Sequence, residues 1–216
     1  MGNQNGINPI VAFCNWTCRL CWIHACFAAM AVCGLVALGI FPALAASCLM
    51  LRRYLNGQRS VRLSEAFCEY RKVFVKANLA GWAIALPALS CLWYARAGVE
   101  SLGALPAVAA MALAPVAAIA LVLCYCTVVM LSCYDARTLR GALQNGLAMM
   151  SGRIGWHGVP FTLLCAMACA ITYALIPACA LFFGAAPVML ATVAAIRCSR
   201  PELMGPDANW SNNANA

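Results

Sequence analysis

LCWIHACFAAMAVCGLVALGIFPALAASCLMLRR, residues 20–53, carries no charge until Arg52 and Arg53, and has Pro42 past its middle. Between Arg19 and Arg52 lie 32 residues. As one straight helix they would measure about 48 Å, against a bilayer hydrocarbon core about 30 Å thick that roughly 20 helical residues cross. The run is too long for one crossing. Pro42 offers the fold point, because proline lacks an N–H and disfavours helix at the preceding Phe41. The expectation is a helical hairpin, outward over about residues 20–40 and back over about 43–55. Arg52, Arg53 and Tyr54 then snorkel from the end of the short return helix.

The same pattern recurs. Lys76 to Arg96 encloses 19 uncharged residues, Glu100 to Asp135 encloses 34, and Arg153 to Arg197 encloses 43, broken only by His157. Hydrophobic residues make up 65% of the chain and charged residues 9%, against about 45–50% and about 25% in soluble domains. So few charges cannot cover a water-facing surface. The C-terminal run divides like the first: a crossing over about 158–182, a turn at FFGAAP, and a short helix from Pro187 to Arg197. The fold class is therefore all-α: a polytopic helical membrane protein with five to six transmembrane helices, two of them short and proline-started, plus cytoplasmic amphipathic helices. A single membrane domain covers 1–198, and the polar, Asn-rich 199–216 reads as a disordered tail.

Net charge is +8. The cations flank apolar spans and are not interleaved with aromatics on a soluble face, so the chain has a lipid partner and no nucleic-acid partner. Residues 52–76 hold Arg52, Arg53, Arg59, Arg62, Arg71, Lys72 and Lys76, and residues 135–153 hold Arg137, Arg140 and Arg153. By the positive-inside rule both segments lie in the cytoplasm, with the C-terminus and the N-terminus on that side. The start MGNQNG has no basic n-region, and Gly6 stands where a myristoylation signal needs Ser or Thr.

Two cytoplasmic stretches are amphipathic. In RLSEAFCEYRKVFVKA, Leu63, Ala66, Phe67, Tyr70, Val73, Phe74 and Ala77 form a helical stripe, with Glu65, Glu69, Lys72 and Lys76 opposite. That pattern suits a helix lying on the membrane surface before a turn into the span near Asn78. TLRGALQNGLAMM repeats it with Leu139, Leu143, Leu147 and Met150. Trp82 and Trp156 follow at belt positions.

LGIFPALAAS, LRRYLNG, SEAF and EYRKVFVKAN together resemble the YesL-like bacterial integral membrane proteins, a family of unknown function. The matching positions are Gly39, Pro42, Ala43, Arg52, Arg53, Gly57, Phe67, Arg71, Lys72, Phe74 and Asn78. Leu44 stands where members carry Thr. The likeness is sharp over about residues 10–80 and continues as a similar hydropathy pattern to about 198. The resemblance implies an inner-membrane protein with an accessory role in carbohydrate utilisation, because the genes of such proteins lie beside sugar-uptake systems. It carries no catalytic residues across.

Fifteen cysteines include Cys18 and Cys21 in a CxxC, yet they are scattered through Ala-rich spans where Cys behaves as a small apolar residue. Their spacing is not that of a zinc site. His24 is an intramembrane ionisable group and so a functional candidate, while His157 lies at a boundary. No Asp or Glu falls within an expected span, and no GxxxxGK[ST] loop is present, which disfavours an ion-coupled carrier and an ATP-driven pump. Ala110, Ala114 and Ala118 form a small-xxx-small row, open between packing within the monomer and a face for a second copy. Pro106 and Pro115 should kink that span.

These features point to a non-catalytic accessory or regulatory protein of the bacterial inner membrane with no cofactor or metal, its partner a sugar-transport permease complex. Candidate contact residues are Pro42, Arg52, Arg53, Phe67, Arg71, Lys72, Asn78 and His24. The alternatives are a small solute transporter or channel acting alone, and a membrane enzyme using Cys18, Cys21 or His24.

Overall fold

A computed structural model describes residues 9–58, 60–100, 104–133, 139–151 and 158–199. Arg137, Arg153, Trp156, His157 and the C-terminal tail lie outside the described residues. Within them the chain forms α-helices and no strand: α1 (Pro9–Cys33), α2 (Ile40–Leu55), α3 (Leu63–Glu100), α4 (Ala104–Cys133), α5 (Leu139–Met150), α6 (Gly158–Leu175), α7 (Pro177–Phe183) and α8 (Ala186–Ser199). Three helices, over Ile10–Cys33, Leu63–Ala97 and Ala112–Ser132, are long and apolar enough to cross a membrane. The shorter α6 and α8 are apolar too, over Leu163–Leu175 and Ala186–Cys198.

The first hairpin exists, but it does not turn at Pro42. α1 ends at Cys33, and residues 34–39 form the turn. Val36 N–H returns to the Ala31 carbonyl at 2.8 Å, and Leu35 and Val36 both sit at φ 59°. A left-handed β-branched residue is unusual, and Val36 is held there by the bonds around it. Pro42 is instead buried in the first turn of α2, where its missing N–H has no carbonyl partner to lose.

α3 departs from expectation further. The amphipathic segment and the span are one uninterrupted helix of 38 residues, about 57 Å at 1.5 Å per residue. No break occurs near Asn78. The helix is longer than the hydrocarbon core is thick, and its charges sit at both ends: Glu65, Glu69, Arg71, Lys72 and Lys76 before the uncharged stretch 77–95, Arg96 and Glu100 after it. Nor does the apolar stripe lie outward on a membrane surface. Ala66 and Tyr70 are buried in the main core, with Phe67 and Phe74 packed against it, and Ala77 is buried in a second cluster with Leu131 of α4 and Ala142 of α5. Most of the stripe faces other helices: the Tyr70 hydroxyl lies against Gly34 of the α1–α2 turn, and Ala77 packs beside α4 and α5. α5 resolves the other way: Ala142, Gly146 and Met149 face inward, while Leu139, Leu143 and Leu147 are exposed.

α2 is the central element, packed on α1, α3, α4 and α8. Its Phe41 ring meets Trp82 edge-on at 5.3 Å and lies on Gly81, where a Cβ would fall 2.4 Å from the ring. Missing side-chain bulk at Gly81 is what lets α2 approach α3 this closely. Cys124 Sγ donates to the Gly81 carbonyl at 3.4 Å, bringing α4 to the same level. The core between these helices contains Ile23, Met30, Met50, Leu51, Met130, Met189 and Val193.

The C-terminal run breaks earlier than expected. α6 stops at Leu175, because Pro177 opens α7 and disfavours helix at Ile176. The next turn falls at Gly184–Ala185, within FFGAAP, and α8 follows. α4 runs unbroken from Ala104 to Cys133 with Pro115 inside it. In that helix Ala117 faces the protein and Ala118 is exposed.

Candidate functional site

The last turn of α2 delivers two adjacent arginines in different directions. Arg52 Nη1 donates to the Ser132 carbonyl at 3.3 Å, tying α2 to the end of α4. Arg53 turns toward α3 and is only 2% exposed. Its Nη1 lies 3.4 Å from Glu65 Oε2 and its Nη2 lies 3.9 Å from Glu69 Oε1. Glu65 and Glu69 share one helix face because they are four residues apart. Glu69 Oε1 also accepts from Lys72 Nζ at 3.0 Å. Two cations thus balance two carboxylates, and burial of the Arg53 guanidinium is compensated by charge and hydrogen bonding.

Around this cluster the end of α2 is braced from every side. Gly57, at φ +96°, takes the left-handed position that glycine adopts without a Cβ penalty. Gly57 N–H and Gln58 N–H then return to the Tyr54 and Arg53 carbonyls, both at 3.1 Å, the Schellman arrangement. The Leu55 carbonyl accepts from Arg197 Nη1 of α8. Cations at this helix end also suit its dipole. The Arg19 guanidinium lies over the rings of Trp16 and Tyr54, at 5.2 and 5.1 Å from their centroids. Tyr54 Oη accepts from Val61 N–H at 3.3 Å, and Trp22 Nε1 donates to the Val61 carbonyl at 3.2 Å.

The structure therefore brings Arg52, Arg53, Phe67, Arg71 and Lys72 to one end of the bundle. Phe67 is half-buried, its ring 5.4 Å from that of Tyr70. Arg71 is exposed, and among the described residues no carboxylate lies within ion-pair distance of it. The other candidates stand apart. Pro42 begins α2, and Asn78 Nδ2 donates to the Phe74 carbonyl of its own helix at 3.0 Å. His24 is half-buried, stacked on Phe27 at 6.4 Å, with its ring against Gly184. A Cβ on Gly184 would fall 2.0 Å from that ring.

Cys18 is exposed and Cys21 half-buried, and both are free thiols. Among the described residues, no three His, Cys, Asp or Glu side chains converge as metal ligands. A cavity of about 240 Å³ lies among α4, α5, α6 and α8, bordered by Leu121, Tyr125, Cys126, Met149, Leu163 and Val188. At its side Tyr125 Oη and Thr192 Oγ1 are 2.8 Å apart, sharing a hydrogen bond.

The sequence pattern placed Glu65 and Glu69 on a solvent face, Tyr70 on a stripe facing the membrane and Tyr54 snorkelling from the end of the short return helix, and none of them in contact with another helix. Two signals were present: a pair of arginines ending an apolar helix, and an i, i+4 glutamate pair opening the next helix after a short loop. Opposite charges so placed across a tight connection meet when the two helices pack antiparallel.

The arrangement defines a class, an all-helical protein of membrane type whose buried ion cluster fastens its first hairpin to a long third helix. Residues 20–95 match the family described as "Protein of unknown function, DUF624". That match spans the end of α1, all of α2 and nearly all of α3, and so contains the Arg53, Glu65 and Glu69 cluster. The "Uncharacterized protein YteU" of Bacillus subtilis (strain 168) is 30% identical to this chain over 87 residues, 40% of this chain and 39% of that protein. The chain thus matches about two fifths of the length of that relative. No solved structure matches.

Proposed function

We propose that this chain is a non-catalytic accessory or regulatory component of the bacterial cytoplasmic membrane. In this reading it belongs with the YesL-like proteins, serves carbohydrate uptake, and turns the arginine-rich end of its bundle to the cytoplasm. One observation carries the proposal. Among the described residues, the carboxylates nearest the cationic end, Glu65 and Glu69, are held by buried Arg53, so these groups are committed to joining α2 to α3. Arg62 and Arg71 remain exposed on the outer side of the same region, as a face for an acidic surface on a membrane partner. The carbohydrate connection is supported by the resemblance of residues 10–80 alone.

Purification of the full chain from native membranes in mild detergent, with identification of the proteins retained, tests this reading. A permease subunit of a sugar-uptake system is the expected companion. Oligosaccharide uptake by vesicles containing this protein alone would overturn the proposal in favour of a self-sufficient transporter.

A further inference from the structure

Two adjoining hollows lie along α3, sharing Phe67 and Arg71. The first, about 450 Å³, opens between the α1–α2 turn and α3, where Leu35, Leu38, Phe74 and Val75 give it an apolar wall. The second, about 550 Å³, is edged by Ser64, Cys68 and Lys72. Together they form a groove that is apolar at one end and cationic at the other, with Arg71 at the junction.

Inside the apolar end is a polar group with nothing to bond. Tyr70 is only 4% exposed, and its buried hydroxyl has no hydrogen-bond partner. That hydroxyl lies against Gly34, another residue of the same wall: a Cβ there would fall 2.3 Å from it. An unsatisfied buried hydroxyl is destabilising, so a ligand atom that bonds to it has a ready gain. The turn forming the opposite wall holds Leu35 and Val36 at φ 59°, backbone geometry of the kind that collects at ligand clamps.

The groove also falls at a particular height. Arg71, Lys72 and Lys76 end the charged part of α3, and the uncharged stretch 77–95 begins one residue later. For a helix that crosses a bilayer, this is the level of the headgroups. We infer that the groove binds one anionic glycerophospholipid, with its phosphate at Arg71, an ester carbonyl accepting from the Tyr70 hydroxyl, and an acyl chain along Leu35, Leu38 and Phe74.

Native mass spectrometry of the full chain in detergent, titrated separately with phosphatidylglycerol, phosphatidylcholine and inorganic phosphate, tests the assignment. Phosphatidylglycerol should give a single retained adduct at a concentration about tenfold below that needed for phosphatidylcholine, the equivalent of one charge-assisted hydrogen bond. Arg71→Gln should remove that preference, and Tyr70→Phe should weaken phosphatidylglycerol about fivefold while raising the unfolding midpoint of the lipid-free chain, because the unsatisfied buried hydroxyl is gone. Arg96→Gln, at the far end of α3, should change neither lipid. Equal retention of the two lipids would show no charge recognition in the groove, a preference surviving Arg71→Gln would show only general charge attraction, and either would overturn the inference. So would inorganic phosphate binding as tightly as the lipid, or a Tyr70→Phe variant indistinguishable from the parent.

Discussion

Arg53 is the largest side chain fully buried among the described residues. A guanidinium tolerates that place only while Glu65 and Glu69 answer it. Removing the cation leaves two carboxylates facing a closed core edge, whereas neutralising the acids leaves a buried charge that cannot be deprotonated. Arg53→Met is therefore expected to cost about 3–5 kcal/mol, read as a lowered midpoint of thermal unfolding in detergent. The double variant Glu65→Gln with Glu69→Gln should be of similar severity, and combining it with Arg53→Met should recover part of the loss, because pairing and not charge is what the site requires. Midpoints that simply add across the triple variant would show that the cluster is not coupled. At this scale the sequence was half legible. Arg52 and Arg53 stood out as an abrupt burst of charge, but the burial of Arg53 depends on where α3 lies, which no local pattern encodes.

At the scale of elements, the division of the chain into apolar runs was readable because bilayer thickness imposes a length. Where each helix begins and ends was less so. Pro42 marks the start of α2 and not the turn, since a proline in the first turn of a helix loses nothing, and the reversal is made by six residues that contain no proline. The stripe of α3 and that of α5 look alike in sequence. Helical periodicity says that one face is apolar but not whether protein or lipid covers it, and other helices happen to be there for α3. The continuity of α3 through residues 70–78 is open to a direct check. Val75 is 73% exposed, so Val75→Pro perturbs the backbone with little change in packing. Interrupting a continuous helix there should cost about 3 kcal/mol or more and speed tryptic cleavage at Arg71 and Lys72. An unchanged cleavage rate would mean that the amphipathic segment and the span are separate helices.

At the scale of the whole molecule, three helices among the described residues have the length and apolarity for a crossing; Leu86 and Trp93 of α3 and Val116 of α4 are exposed apolar side chains on them, and Leu164, Ile171 and Phe182 are exposed likewise on α6 and α7. Contacts between α2 and α3 run from Arg53 against Glu65 to Phe41 against Trp82, so α2 reaches only the near end of the uncharged stretch 77–95. Beyond it α3 pairs chiefly with α4. The bundle is thus tied at its arginine-rich end, where α1, α2, α3, α4 and α8 all contribute, and the proposed orientation puts that end in the cytoplasm. Trypsin applied to right-side-out and to inverted membrane vesicles carrying the full chain tests both the embedding and the orientation. Cleavage between α2 and α3, in the segment from Gln58 to Arg62, is expected in inverted vesicles only, with both fragments remaining in the membrane after alkaline washing. Cleavage at that segment from the outer face, or release of the fragments by the wash, would contradict it.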